Sequence, residues 1–235
     1  MHRLIVTSST YRQSSVADPK TIAADPENAL FGWMPRRRLE GEAVRDALLA
    51  ASGTLNPKSG GPSVFPDLPP GIETRGGWTR SESVEDRSRR SLYVFVRRNL
   101  KYPLFDAFDS PDTNVTCPER NVTVNAPQAL MLLNSDLSID LARSFAGRIY
   151  KSVPDRNDRA SLVQAAYRFA LSRPPTPHEL AKGVAFLETE PELLSGGKSL
   201  SLPKPAPDGL VPAQAAALVD YCHVLLNLNE FVFVD

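Results

Sequence analysis

The chain has little cysteine, little histidine and no net charge, and each shortage argues against a class of function. Lys and Arg number 27, as do Asp and Glu, so the basic excess by which nucleic-acid-binding domains release counterions is missing. We therefore predict no nucleic-acid partner. The two cysteines and three histidines fall at no metal-ligand spacing, so no metal site is predicted, and without a Cys-x-x-Cys-His run this chain is expected to hold no haem.

Long apolar runs and catalytic signatures are also missing. No run of about 18 apolar residues occurs, which predicts no transmembrane segment, and the first residues lack the apolar core of a signal peptide. Leu4, Ile5 and Val6 begin an apolar pattern with no helix cap before it, so we expect the front of the protein to be truncated. Neither the Gly-x-Ser-x-Gly elbow of serine hydrolases nor the Gly-x-Gly-x-x-Gly loop of dinucleotide-binding domains is present. No catalytic residue can be assigned, and whether the protein is an enzyme stays open.

Apolar periodicity and capping residues predict a mainly α fold. Asn125 is placed to cap one helix, Thr176 opens a capping box, and Gly53 is placed to stop a third helix. The run 91–96, which is β-branched and aromatic, predicts a short strand, with a buried helical turn as the alternative. The predicted helices cover 36–52, a segment that starts after Asn125, 137–150, 158–171, 176–187 and 213–226.

Proline is over-represented, with 21 copies, about twice the usual share, and many of them stand with glycine in 56–77 and 191–212. These segments predict long loops, and Val64, Phe65 and Trp78 indicate that the first is partly packed down. The expected fold is thus a helical bundle with a small β element and long ordered Pro/Gly-rich loops.

Two domain organisations are consistent with this pattern. Residues 1–235 form a single domain, or 1–118 form a loop-rich half with one long helix and a short strand while 119–235 form a helical bundle.

Arginine supplies 20 of the 27 basic residues, a bias that favours planar, bidentate contacts to carboxylate, sulfate or phosphate groups. One interpretation is internal pairing with the equally numerous acids. The other is an anion-binding patch, for which the candidates are Arg89, Arg90, Arg97 and Arg98.

Asp106, Asp109 and Asp112 recur at every third position and form a candidate acid cluster. Clustered carboxylates suit calcium or glycoside hydrolysis, but the pattern matches neither a calcium-binding loop nor a placeable acid pair. Turn and helix-cap roles fit these residues better. Nearby, Asn114-Val115-Thr116 and Asn121-Val122-Thr123 match the N-glycosylation sequon, a short match that arises often by chance and would matter in a eukaryotic secretory protein.

A set of ordered motifs from the first residue to the last resembles one family. Among them are Tyr11-Arg12, a run that contains Arg38, Glu42, Arg45 and Asp46, then Cys117, Ala126-Pro127-Gln128 and the stretch 226–231. The family is the C-terminal domain of unknown function of large exported planctomycete cytochrome c-like proteins. The motif residues carried over are Tyr11, Arg12, Arg38, Glu42, Arg45, Asp46, Cys117 and Gln128.

The resemblance implies a periplasmic or extracellular setting and, as partners, the other domains of a longer protein. It implies haem only in a domain upstream of this chain. The expected function is a non-catalytic helical module that completes the larger protein. The alternative is binding or hydrolysis of anionic, sulfated or uronic, polysaccharide through an arginine-rich cleft.

Cys117 and Cys222 are expected to be two buried thiols, since free cysteine is among the most buried residue types. An oxidising compartment, if the exported setting holds, would permit a bridge between them instead.

Overall fold

The computed structural model describes residues 1–72, 74, 77–98, 100–196 and 199–234, and it is mainly α-helical as predicted. In these ranges the chain forms eleven helices, one 3₁₀ turn and one two-stranded sheet. The helices are α1 His2–Val6, α2 Pro19–Ala24, α3 Gly41–Ser52, α4 Val84–Arg87, α5 Pro103–Ala107, α6 Ala126–Asn134, α7 Asp136–Ser152, α8 Arg159–Leu171, α9 Pro177–Leu194, α10 Pro212–Leu226 and α11 Asn229–Val232. The strands are β1 Arg37–Arg38 and β2 Phe233–Val234.

A first compact unit contains residues 1–39 together with the end of the chain from Val232. Its sheet pairs β1 with β2 antiparallel, with Arg37 opposite Val234 and Arg38 opposite Phe233. The pairing continues where the Leu39 amide donates to the Val232 carbonyl at 2.8 Å. No residue from 1 to 37 is buried. This unit is therefore ordered by local turns and one short sheet, with very little apolar core.

The second unit, residues 40–231, holds the apolar core. Helix α10 packs against α9 and α7, and α3 packs on α7. The α10 sequence is apolar around much of its circumference, which suits a helix surrounded by neighbours. The largest apolar side chains that are almost completely buried are Phe145, Leu48, Ile149, Leu218, Leu225 and Leu226.

Local capping signals are confirmed at three helix ends. Asn125 and Gln128 form a capping box at the start of α6, and Thr176 and Glu179 form another at α9. Gly53 ends α3 in the left-handed conformation, with φ of 76°. Each of these signals acts within a few residues, so the sequence is enough to identify it.

Three predicted elements need correction. The helix predicted over 36–52 begins only at Gly41, because Arg37 and Arg38 are taken into β1 by a partner at the far end of the chain. The strand predicted over 91–96 is wrong: Ser91–Tyr93 is a 3₁₀ turn, and Val94 makes one isolated bridge to Val64.

The third correction concerns α9, which runs on to Leu194 instead of ending at Leu187. Pro191 lies inside the helix and cannot donate to the carbonyl of Leu187. The Arg159 Nε donates to that carbonyl at 3.4 Å, which gives the freed acceptor a partner.

Both Pro/Gly-rich loops belong to the second unit and contact the rest of it at identifiable points. Val64 and Trp78 are buried, and the Phe65 ring contacts Trp78 edge to face at 5.3 Å, as the sequence indicates. In the later loop the Arg143 Nε donates to the Leu202 carbonyl. Residues 73, 75, 76, 197 and 198 of the two predicted loops lie outside the described residues. None of the helices in the described ranges is long and apolar enough to cross a membrane.

Candidate functional site: an arginine network and a mixed-charge groove

Helix α3 fixes the segment 87–91 through two adjacent residues, Arg45 and Asp46. The Arg45 guanidinium, which is almost fully buried, donates to the carbonyls of Arg87 at 2.6 Å and Arg89 at 2.9 Å. The Asp46 carboxylate accepts from the Ser91 amide at 2.6 Å. Two adjacent polar side chains on one helix thus give hydrogen-bond partners to backbone groups of a segment that does not belong to a sheet.

Arg89 holds the first Pro/Gly-rich loop in the same manner. Its side chain is 1% exposed, and its two terminal nitrogens donate to the carbonyls of Lys58, Gly60 and Pro62. The guanidinium carbon lies 3.9 Å from the centre of the Tyr93 ring. We call this arrangement, Arg89 with the ring of Tyr93 and the three carbonyls, the carbonyl cage.

Tyr93 completes the carbonyl cage with its hydroxyl. The oxygen accepts from the Gly60 amide at 2.7 Å and lies 3.3 Å from the Ser59 hydroxyl. These hydrogen bonds, first that with Ser59 and then that with Gly60, lower the pKa of Tyr93, and the nearby Arg89 charge adds to the effect.

The four candidate anion-binding arginines have different surroundings. Arg89 is committed to the carbonyl cage, and the Arg90 Nε is 3.3 Å from the Asp46 carboxylate. Arg97 lies against Gly77 and donates to the Thr74 carbonyl at 3.5 Å. Arg98 lines a surface groove. Arg89 is bound to its own chain and Arg98 is exposed, so the four do not share one kind of environment.

The groove runs beside residues 98–121 and consists of two adjoining cavities of about 690 and 480 Å³. Lys101, Asp106 and Asp112 line both cavities. Asp109 and Cys117 line the smaller one. The predicted acid cluster and one candidate arginine therefore do meet at one groove, which we call the 98–121 groove.

Three of the charged side chains in the 98–121 groove, Lys101, Asp106 and Asp112, are bonded to near neighbours. Lys101 Nζ is 3.1 Å from an Asp106 oxygen and 3.4 Å from the Ser110 carbonyl oxygen. Asp112 accepts from the Asn114 amide at 2.9 Å and from its side chain at 3.0 Å, and these two bonds lower the pKa of Asp112. Asp112 thus has the turn-forming geometry expected for an aspartate that follows proline.

Asp109 has a different task, which joins the groove to α6. Its backbone is left-handed, with φ of 61°. Its carboxylate accepts from the Thr123 amide at 2.8 Å and hydroxyl at 2.9 Å, and Gln128 Nε2 lies 3.4 Å away. We call Asp109, Thr123 and Gln128 the Asp109 clasp. Gln128 is one of the motif residues of the sequence, which carries no signal for this longer-range contact with Asp109.

The two cysteines are both free thiols. Cys222 is fully buried in α10, as expected, and burial raises its pKa. Cys117 is exposed, which corrects the expectation of two buried thiols, and its sulfur lies 3.0 Å from the Glu119 carbonyl oxygen. In the described ranges no group of His, Cys, Asp and Glu side chains is arranged to hold a metal ion.

The remaining motif residues are spread over both units. In the second unit Glu42 pairs with Arg120 in a bidentate contact at 3.0 to 3.2 Å. In the first unit Tyr11 and Arg12 are exposed, and Arg38 is buried in β1.

An ion-pair cluster with two bidentate contacts centres on Arg173, which the sequence did not single out. Its guanidinium contacts both oxygens of Glu179 at 2.8 Å and both of Glu230 at 2.6 and 2.7 Å. The hydrogen bond from Arg173, the largest effect, lowers the pKa of Glu179 to about 2. The cluster ties the start of α9 to α11, and Arg173 and Glu230 are 57 positions apart in sequence.

Comparison with known proteins gives one family. A family model described as "PSD1: Protein of unknown function (DUF1553)" matches residues 1–187. No curated protein and no solved structure matches the chain.

Proposed function

The chain belongs to this PSD1 family of proteins of unknown function, and from that premise we propose that it is a non-catalytic helical module of a larger exported protein. The larger protein would be a planctomycete cytochrome c-like protein, and its other domains would be the partners of this module. Any haem would be held by an upstream domain, since the chain has no haem-attachment motif.

The main support for this proposal is that the buried and clustered polar side chains are hydrogen-bonded to the backbone of this chain. Arg45 and Arg89, the charged side chains that are almost fully buried, bind backbone carbonyls of their own chain. Asp46 and Asp109 accept from backbone amides. Buried charges bonded in this way hold loops in place and leave few donors for a ligand. The Nε atoms of Arg45 and Arg89 have no hydrogen-bond partner in the described residues, but both are buried.

The first unit supplies the surface by which such a module would contact its neighbours. Large apolar side chains are exposed there, among them Leu4 at 76%, Val16 at 84%, Leu30 at 84% and Phe31 at 66%. Apolar groups that find no core within their own unit favour burial against another domain. We infer that residues 1–37 pack on a neighbouring domain of the same polypeptide.

Hydrogen exchange tests this proposal directly. In the isolated chain, amides of residues 1–37 should exchange quickly, and in the longer gene product they should be protected while those of α7 and α10 are unchanged. The protein sequence encoded in frame upstream of Met1 defines that longer product. An in-frame stop codon immediately upstream, with a ribosome-binding site, would contradict the proposal, as would equal exchange in the two proteins.

The second candidate, binding or hydrolysis of anionic polysaccharide, is favoured by the 98–121 groove. Arg98 and Lys101 line it beside Asp106 and Asp112, so a cation and an acid lie within one cavity. The cations would contact sulfate or uronate groups, and the acids would transfer protons if hydrolysis occurs.

Retention on sulfated and uronic polysaccharides at low salt tests this second candidate. Arg98→Ala combined with Lys101→Ala should abolish retention. The matched control, Arg156→Ala with Lys151→Ala, removes the same charge from exposed positions outside the groove. Absence of retention, or equal retention of both double variants, would rule the second candidate out.

A further inference from the structure

The exposed segment between α5 and α6 carries two copies of one short pattern. Asp112-Thr113-Asn114-Val115-Thr116 and Glu119-Arg120-Asn121-Val122-Thr123 each place a carboxylate two residues before an Asn-Val-Thr sequon. The chain has ten asparagines, and Asn114 and Asn121 are the only two that begin an Asn-x-Ser/Thr sequon. Every residue from 114 to 127 is exposed, and the segment between Ala107, where α5 ends, and Ala126, where α6 begins, contains no helix or strand. The segment is thus accessible to an enzyme that modifies side chains.

The pattern has the chemistry of an acceptor for N-linked glycosylation. Asparagine supplies the amide nitrogen, and the threonine hydroxyl two residues later is what a transferase binds to position it. A carboxylate two residues before the asparagine adds a charged contact for an enzyme with a cation at that subsite. Both copies contain all three groups.

The structure distinguishes the two copies by the state of their threonines. The Thr116 hydroxyl has no hydrogen-bond partner in the described part of the chain, and Thr116 is exposed. The Thr123 hydroxyl donates to Asp109 in the Asp109 clasp and lies 3.2 Å from Gln128 Nε2. A transferase must break these contacts before it can use the second copy.

We propose that Asn114 is an N-glycosylation acceptor in the folded protein and that the Asp109 clasp withholds Asn121. The co-substrate is an oligosaccharide linked to a polyprenyl pyrophosphate. The Asn114 Nδ2 forms a bond to the anomeric carbon, the bond from that carbon to the pyrophosphate oxygen breaks, and the lipid pyrophosphate leaves. The amide gives up one proton to a base on the transferase, and no electrons are exchanged with a redox partner.

The acceptor amide is accessible at small cost. Its only hydrogen bond in the described residues is to an Asp112 oxygen at 3.0 Å, and both residues are exposed, so water replaces this bond when the amide turns outward. Asn114 also lines the 98–121 groove, so a glycan would extend from its edge. The proposal rests on the exported setting of the proposed function, whereas its test uses the purified chain and does not.

The test uses the purified folded chain with a bacterial oligosaccharyltransferase that requires a carboxylate two residues before its acceptor, together with its lipid-linked oligosaccharide. Glycopeptide mass spectrometry gives the occupancy of each asparagine. Asn114 should be modified at least about tenfold more than Asn121, the ratio expected if the clasp costs one or two hydrogen bonds to open. A synthetic peptide of residues 108–127 should be modified at both sites to a similar extent.

Three variants separate the parts of the proposal. Asp112→Asn should lower occupancy of Asn114 by about tenfold, through loss of a charge-assisted contact. Asp106→Asn removes the same charge from the same groove and should leave occupancy unchanged. Asp109→Ala should raise occupancy of Asn121 towards that of Asn114.

Three results would overturn the proposal. The first is a folded chain that stays unmodified at Asn114 while the peptide reacts. The second is equal occupancy of both asparagines in the folded chain. The third is a peptide that the transferase does not modify at either site.

Discussion

Single residues in this protein act mainly as holders of backbone, and Arg89 is the clearest case. One guanidinium binds carbonyls at three alternate positions of a loop, 58, 60 and 62, while it stacks on Tyr93. The planar fork of arginine suits several acceptors in fixed directions, whereas the ammonium group of lysine is compact and lacks the flat face that stacks on a ring. The arginine bias of the sequence therefore has a structural use here.

We predict that Arg89→Lys lowers the free energy of unfolding by about 2 to 4 kcal/mol, because buried carbonyls lose their partners. Urea unfolding measures this. Arg90→Lys is the matched control. The Arg90 side chain is more than half exposed and makes one ion pair, so the free energy of unfolding should change by no more than about 0.5 kcal/mol. Similar losses in both variants would show that the carbonyl cage adds nothing specific.

The ion pairs of Glu179 predict a pH dependence with a definite sign. Arg173 lowers the pKa of Glu179 from about 4.5 to about 2, so the folded state favours the charged form more than the unfolded state does. The resulting stability is fully present above the unfolded pKa and is lost as the pH falls from about 4.5 through 2.

At pH 7 the free energy of unfolding of Glu179→Gln should accordingly be lower than that of the protein with Glu179. The expected difference is about 1 to 2 kcal/mol, because the ion pair is partly exposed. The difference should shrink below pH 4.5 and vanish only below pH 2. Unfolding by urea across this range measures it. Glu188→Gln, whose carboxylate is 4.0 Å from Arg159, serves as control and should show no such trend. A constant difference at every pH would contradict the assignment.

Whole elements are held by close approaches that one methyl group can disturb. Gly183 in α9 faces α8 and α10: a β-carbon there would lie 2.5 Å from the Tyr221 hydroxyl and 2.9 Å from the Val163 methyl groups. The small residue is thus needed for three helices to pack together.

The variant Gly183→Ala sets two effects against each other. Alanine favours a helix by about 1 kcal/mol relative to glycine, whereas overpacking costs about 1 to 3 kcal/mol. Because Val163 and Tyr221 belong to packed helices, we predict net destabilisation. Gly196→Ala, with open space around its β-carbon, is the control and should be neutral. Thermal unfolding followed by circular dichroism compares them, and a more stable Gly183→Ala would show that the neighbours can move.

Helix ends that depend on residues close in sequence could be predicted, whereas those that depend on residues far away in sequence could not. The helix cap at Asn125 and the capping box at Thr176 are local patterns and were predicted correctly. The start of α3 was not, because β1 forms only through residues 233–234. In the extension of α9 beyond Leu187, the carbonyl freed by Pro191 accepts from Arg159, a donor 28 positions away that no local pattern shows.

The candidate site follows the same rule. Arginine bias and spaced aspartates indicated that these residues matter, and the 98–121 groove does collect Arg98, Asp106 and Asp112. The sequence could not show that Arg89 is buried or that Asp109 reaches Thr123. Their partners lie 27 to 31 and 14 positions away, across loops without regular structure.

The apolar core lies almost entirely in the second unit, and this predicts which part of the chain can fold alone. Residues 40–231 contain the apolar core, the carbonyl cage and the Arg173 cluster, whereas 1–37 bury nothing. The division also makes the second unit an insertion in the first, since the first contains both ends of the chain.

We predict that a protein of residues 40–231 folds with the helices α3 to α10 and unfolds cooperatively, within a few degrees of the complete chain. Circular dichroism and calorimetry measure this. A peptide of residues 1–39 should show no cooperative transition, because an isolated segment without buried apolar surface cannot offset its loss of entropy. A molten 40–231 fragment would show that the first unit contributes to the core.

The antiparallel pairing of β1 and β2 also determines how the molecule would respond to mechanical load. Tension on the two ends of the chain reaches the sheet at Arg37 and Val234, and these residues are opposite each other at the same end of the sheet. The hydrogen bonds would therefore open one after another, as in a zipper, instead of resisting together in shear. In a tethered polypeptide this sheet would act as a weak mechanical link, which yields at low force before the helical core is stretched.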